Sequence, residues 1–146
     1  MPRRRKAKPQ QQKPTHLIDT NVLLRYLIGD DPPKAARAAA LMNGLEAGLV
    51  AAEIPVEVWT ETVWTLESYY HVPRAEIAEK LAALLTFAGL RTAPGELLFQ
   101  ALQYYTDSNA DFVDCLLAAR AQDRNISVYT FDESDFKKLK SAWEKP

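Results

Sequence analysis

Five acids stand at points in this chain where their type and spacing suit the binding of a hard cation. Asp19 closes the apolar stretch His16-Leu17-Ile18 and is followed directly by Thr20 and Asn21. Asp132 closes Tyr129-Thr130-Phe131 in the same way. If both stretches are parallel strands, the two carboxylates emerge at the carboxyl edge of a sheet, where open α/β folds bind ligands. Glu61 lies among Val58, Trp59, Val63 and Trp64, a setting in which a charge is costly unless it is paired or binds a cation. Asp111 and Asp114 are three residues apart and share a helix face. All these donors are oxygens, which suits Mg²⁺ or Mn²⁺. Such an ion can activate water and stabilise charge on a phosphodiester.

Each acid also has a structural reading. Asp19 ahead of an apolar helix is a good N-cap, and Asp132 before Glu133 and Ser134 suits a turn. Asp111 fits the first turn of a helix, where the dipole favours it. Glu61 could pair with Arg25 or Lys80, and Glu57, four residues earlier on the same face, competes with it as the second acid. The chemistry therefore rests on joint placement. Glu53, Glu67, Asp107 and Asp135 are expected as solvated charges or caps.

The elements that must position these acids alternate. A short buried strand is expected over 16–19, then a helix from Asn21 to Ile28, broken at Gly29-Asp30. Asp31 with Pro32 opens a helix to about Ala47, which Gly48 stops. Strand candidates follow at 49–54, 89–93 and 126–131, the last being the clearest. Between them lie helices from Pro55 to about Tyr70, from Pro73, from Gly95 to Tyr105 and over about 110–123, with a short one over 135–140. Such alternation predicts an α/β fold in three layers, α/β/α, with a small central parallel sheet.

The 146 residues suffice for one domain, expected over 15–146, and the 47% apolar and 25% charged fractions are those of a globular chain. No apolar run approaches a membrane span, and no hydrophobic region after the basic start reads as a signal peptide. The single cysteine, Cys115, excludes an internal disulfide and reads as a packed thiol on an apolar helix. A cytoplasmic setting is expected. The net charge of −1 conceals an asymmetry: residues 1–14 hold Arg3, Arg4, Arg5, Lys6, Lys8 and Lys13 with no acid, leaving 12 basic and 19 acidic residues for the remainder. That arm is expected to be disordered, either a phosphate-binding tether or a solvated tail.

Four blocks, in order, carry a resemblance: the run from Leu17 to Leu27 that contains Asp19-Thr20-Asn21, then Glu61-Thr62-Val63-Trp64-Thr65-Leu66, Asn109-Ala110-Asp111-Phe112-Val113-Asp114, and Thr130-Phe131-Asp132-Glu133-Ser134-Asp135-Phe136. Over residues 16–140 the chain resembles PIN-domain proteins, specifically VapC-type toxin ribonucleases. The resemblance implies a PIN fold in which acids from separate segments gather Mg²⁺ or Mn²⁺. By position Asp19, Glu61, Asp114 and Asp132 match its four acids, with Asp111 as an accessory metal ligand. Thr20 and Asn21 match the polar residues that support the first acid, and Thr130 is grouped with them. It also implies RNA cleavage, a VapB-type antitoxin and a homodimer.

Hydrolysis by a metal-activated water would leave 5′-phosphate and 3′-hydroxyl ends, whereas metal-free cleavage normally needs histidines of near-neutral pKa. Only His16 and His71 exist, at a strand start and a turn. Two other readings stand beside this one: a non-catalytic PIN-like module that binds RNA or protein, and a structure-specific DNA nuclease, whose relatives are usually longer.

Overall fold

The computed structural model describes residues 12–92 and 94–146. The arm expected over 1–14 lies almost wholly outside the described residues. Its last part runs beside the sheet: the Gln12 carbonyl accepts a hydrogen bond from Arg91 Nη2 at 2.9 Å, and Thr15 N donates to Ala51 O at 3.3 Å.

Helices begin and end where local chemistry dictates. Asp19 caps α1 (Thr20–Ile28) by accepting from Thr20 N at 2.8 Å, and Gly29 ends it at φ 71°, a conformation other residues adopt only with strain. Asp31 caps α2 (Pro32–Glu46), whose first residue is a proline with no amide to leave unpaired. The chain continues through β2 (Ala52–Glu53), α3 (Val56–Ser68) and α4 (Arg74–Leu84) to β3 (Leu90–Arg91). α5 (Gly95–Asp107) and α6 (Phe112–Arg124) follow, and Asn125, at φ 54°, ends α6. β4 (Val128–Tyr129), α7 (Glu133–Lys138) and β5 (Trp143–Glu144) complete it.

All strand pairings among the described residues are parallel. β1 (His16–Leu17) pairs with β2 and β2 with β3, so that His16 faces Ala52 and Ala52 faces Leu90. The close approach behind this sheet needs Gly89, because a Cβ there would meet Val50 O at 1.9 Å. The helices supply most of the core: Leu23, Met42, Leu45, Trp59, Leu66, Ile77, Leu81, Leu98 and Tyr105 are all fully buried. Trp59 also satisfies its indole N–H on Ile54 O at 3.2 Å, as a buried indole requires.

The α/β class and the small parallel sheet match expectation, with three differences. The strands are two residues long, and β4 pairs with β5 in a second, two-stranded sheet. Asp19 and Asp132 therefore do not end neighbouring strands of one sheet. The first strand, expected to be buried, is also exposed: Leu17 is 71% accessible, while Ile18 at 3% is the buried member of that stretch, and Phe131 in the last stretch is 85% accessible. β1 lies at the edge of its sheet, and β4 has β5 as its one partner among the described residues. Finally, α7 starts at Glu133, two residues earlier than expected, because Asp132 caps it.

Candidate functional site

Asp114, Asp132 and Asp135 each bring a carboxylate oxygen within 4.8 Å of the other two. Asp114 projects from the first turn of α6, Asp132 caps α7, and Asp135 lies in the first turn of α7. Asp132 Oδ1 accepts from Ser134 Oγ at 3.3 Å and from Asp135 N at 3.4 Å. Thr130 Oγ1 accepts from Asp132 N at 2.9 Å, which fixes the backbone from which that acid departs.

Crowded carboxylates resist ionisation together. Partial burial, then the charges of Asp111, Asp135 and Asp132, raise the pKa of Asp114 above the ordinary carboxyl value. Asp135 is raised as well, by desolvation and then by its hydrogen bond and charge contact with Asp132. Among the described residues, none of Asp19, Glu61, Asp111, Asp114, Asp132 and Asp135 takes part in an ion pair. The Lys138 charge offsets part of the repulsion at Asp135, but desolvation and Asp132 outweigh it.

A second connection joins the first and second acidic segments. Thr20 is 5% exposed, and its hydroxyl donates to Glu61 Oε2 at 2.8 Å. Glu57 and Glu61 together line a groove of about 620 Å³ with Trp64, Val113 and Leu117. Asp111 and Asp114 line another, of about 470 Å³, with Thr60, Trp64 and Glu67. Thr60, Trp64 and Val113 border both, so the two grooves adjoin between α3 and the start of α6. Asn21 faces a third groove, of about 450 Å³ between α1 and α2, with Arg25, Lys34 and Arg37.

Several expectations change. Glu61 is exposed, so the cost of burying it does not arise. Its proposed alternative partners are engaged elsewhere: Arg25 with Asp30 at 2.6 Å, Lys80 with Glu76 at 3.7 Å. Asp111 is the N-cap residue of α6 but makes no side-chain capping bond, so its carboxylate is not committed to the helix. Glu67, expected as a solvated charge, accepts from Arg74 and Tyr105. Asp135 is the residue that sequence reasoning missed. Its signal was available, because Asp132 and Asp135 repeat the three-residue spacing of Asp111 and Asp114. Cys115 is fully buried, and that burial pushes its thiol up to about 11, as befits a packed side chain.

Of the five acids expected together, Asp114 and Asp132 meet, with Asp135, whereas Asp19 and Glu61 stand outside that cluster. An α/β fold with such an acidic cluster at the starts of α6 and α7 defines the class. Within it, the PIN domain family profile matches residues 16–141, and this chain belongs to that family. The chain is also 28% identical, over 123 residues, to a VapC ribonuclease of Aquifex aeolicus (strain VF5), spanning 84% of this chain and 90% of that protein.

Proposed function

We propose that this protein is a Mg²⁺- or Mn²⁺-dependent endoribonuclease, the toxin of a VapBC-type pair. The observation that carries the reading is the convergence of Asp114, Asp132 and Asp135 in a chain similar to a VapC ribonuclease. The donor set fits the ion. It consists of three carboxylates, two of them resisting ionisation together, and among the described residues no cationic side chain is paired to any. A hard divalent cation satisfies that geometry and charge.

Asp114, Asp132 and Asp135 would hold the metal, with Asp111 as an accessory ligand and with Asp19 and Glu61, joined through Thr20, completing the acidic set. When bound, such an ion supplies a water acidified toward neutral pH and neutralises charge on the phosphodiester. The chain's own groups do the rest. Thr20 holds one oxygen of Glu61 and leaves the other open to the cleft. Thr130 fixes the backbone of Asp132. Arg37, in the groove beside Asn21, would hold a flanking phosphate of the RNA, joined by Arg25 and Lys34 where phosphate displaces Asp30 and Asp31 from them.

Partners follow from the same reading. Trp64, Val113 and Leu117 are 66%, 48% and 42% exposed beside the acidic cleft. A homodimer or a VapB-type antitoxin would cover that apolar surface. A binding module without catalysis would not need the full acidic set, and a DNA nuclease would prefer structured DNA. Comparing single-stranded RNA with flap DNA tests the reading. Cleavage of RNA to 5′-phosphate and 3′-hydroxyl ends supports it. A 2′,3′-cyclic phosphate product, or cleavage of the flap alone, contradicts it.

A further inference from the structure

Arg74, the first residue of α4, reaches three other segments at once. Its Nε and Nη2 donate to Tyr105 O at 3.0 and 2.9 Å, and Nη2 also donates to Ala110 O at 2.6 Å. Nη1 donates to Glu67 Oε1 at 3.2 Å, and the Tyr105 hydroxyl donates to Glu67 Oε2 at 2.6 Å. The guanidinium carbon lies 3.6 Å from the centroid of the Tyr105 ring.

The two carbonyls matter because of where they are. Tyr105 O belongs to the last turn of α5, whose carbonyls lack partners within the helix. Ala110 is fully buried and immediately precedes Asp111. One side chain therefore ties the end of α5 to the start of α6. The Tyr105 ring meets Phe112, the residue after Asp111, edge-on at 5.9 Å. Tyr105 itself is fully buried, and burial followed by the Glu67 carboxylate raises its hydroxyl pKa, so it remains a donor.

We propose that Arg74, seated by Glu67 and Tyr105, is a positioning residue for the acidic site: by holding the Ala110 carbonyl it sets where Asp111 and Asp114 stand against Asp132 and Asp135. The inference rests on the metal-site reading above. Lysine cannot replace it, since one ammonium lacks the planar fork that meets three acceptors while stacking on a ring. Groups that orient metal ligands typically matter about 10–100-fold for affinity.

The test is Mn²⁺ alone, titrated into the purified full-length chain, with unbound Mn²⁺ followed by electron paramagnetic resonance. Circular dichroism at the same temperature establishes which variants are folded. Arg74→Lys should bind about 10-fold more weakly than the parent. Tyr105→Phe, which keeps the ring but releases Glu67 Oε2, should weaken binding by a smaller factor. Leu81→Ala, which opens the core on α4, should lower the melting temperature without changing the affinity of the folded protein. That contrast separates positioning from general destabilisation. If the parent and Asp114→Asn alike bind no Mn²⁺, the metal-site reading fails and the inference falls with it. If the parent binds but Arg74→Lys binds equally well, the positioning role alone is overturned. Should Arg74→Lys not fold, Tyr105→Phe decides, and an unchanged affinity overturns the proposal.

Discussion

The Thr20 hydroxyl donates to Glu61 Oε2 at 2.8 Å, joining the first turn of α1 to the middle of α3 across 41 residues of sequence. Thr20 is buried while Glu61 is exposed, so the bond anchors an accessible carboxylate to the interior. The residue after the first acid thereby orients the second.

Replacing Thr20 by valine keeps the shape and removes the donor. Because Glu61 can rehydrate, stability should fall by only about 0.5–1.5 kcal/mol. RNA cleavage should fall further, since a misplaced catalytic group can cost on the order of 100-fold. Thr20→Ser should retain both properties. Thermal melts and single-turnover cleavage measure the two effects, and full activity in the valine variant would contradict this role.

The acidic cluster makes a prediction with a definite sign. Asp114 and Asp135 have folded-state pKa values raised above the ordinary carboxyl value. The folded protein therefore binds these protons more tightly than the unfolded chain, and stability is lost as pH rises from the ordinary carboxyl pKa through the raised one. Without metal, Asp114→Asn should melt higher than the parent at neutral pH, and the difference should vanish below the ordinary carboxyl range. Added Mn²⁺ should raise the melting temperature of the parent more than that of the variant. A variant that melts lower than the parent at neutral pH, without metal, would overturn the repulsion argument.

How much of the fold and site is legible in the sequence varies with the residue. Helices are readable because their punctuation is local: Asp31 with Pro32, Gly29, Gly48 and Asn125 act through their own backbone and caps. Strands are not, because the stretch 16–19 reads as buried yet carries Leu17 at 71% exposure, and the clearest strand candidate, 126–131, carries Phe131 at 85%. A strand's burial depends on what covers it, which no local pattern states. The acids Asp114 and Asp132 stand out in the sequence and do meet, whereas Asp135 reads as a solvated charge or cap because its place depends on how α7 turns from Asp132. The Arg74 clamp is invisible, since two of its three acceptors are backbone carbonyls 31 and 36 residues away.

The two tryptophans of α3 should behave oppositely. Trp59 is fully buried and Trp64 is 66% exposed. Trp59→Ala should cost about 3–5 kcal/mol of stability, and Trp64→Ala less than about 0.5 kcal/mol. If a second copy covers the face beside the cleft, Trp64→Ala should also shift the protein to monomer in sedimentation. An oligomeric state that does not respond to Trp64→Ala would remove that face as the dimer seam.

The basic residues before the described region offer a salt test. Residues 1–11 include Arg3, Arg4, Arg5, Lys6 and Lys8. If they touch phosphates, deleting them should flatten the dependence of RNA affinity on salt. The logarithmic slope should change by about 0.7 for each phosphate of a single strand that is no longer neutralised. An unchanged slope assigns them no part in RNA binding.

The central claim is that these acids cleave RNA through a divalent ion, and one measurement addresses it most directly. Purified protein is incubated with total RNA in Mg²⁺ or Mn²⁺, with EDTA and an Asp114→Asn variant as controls, and the RNA ends are mapped. The account predicts discrete cuts that carry 5′-phosphates and disappear in both controls. Cuts that persist in EDTA, or that Asp114→Asn makes as well as the parent, would contradict it.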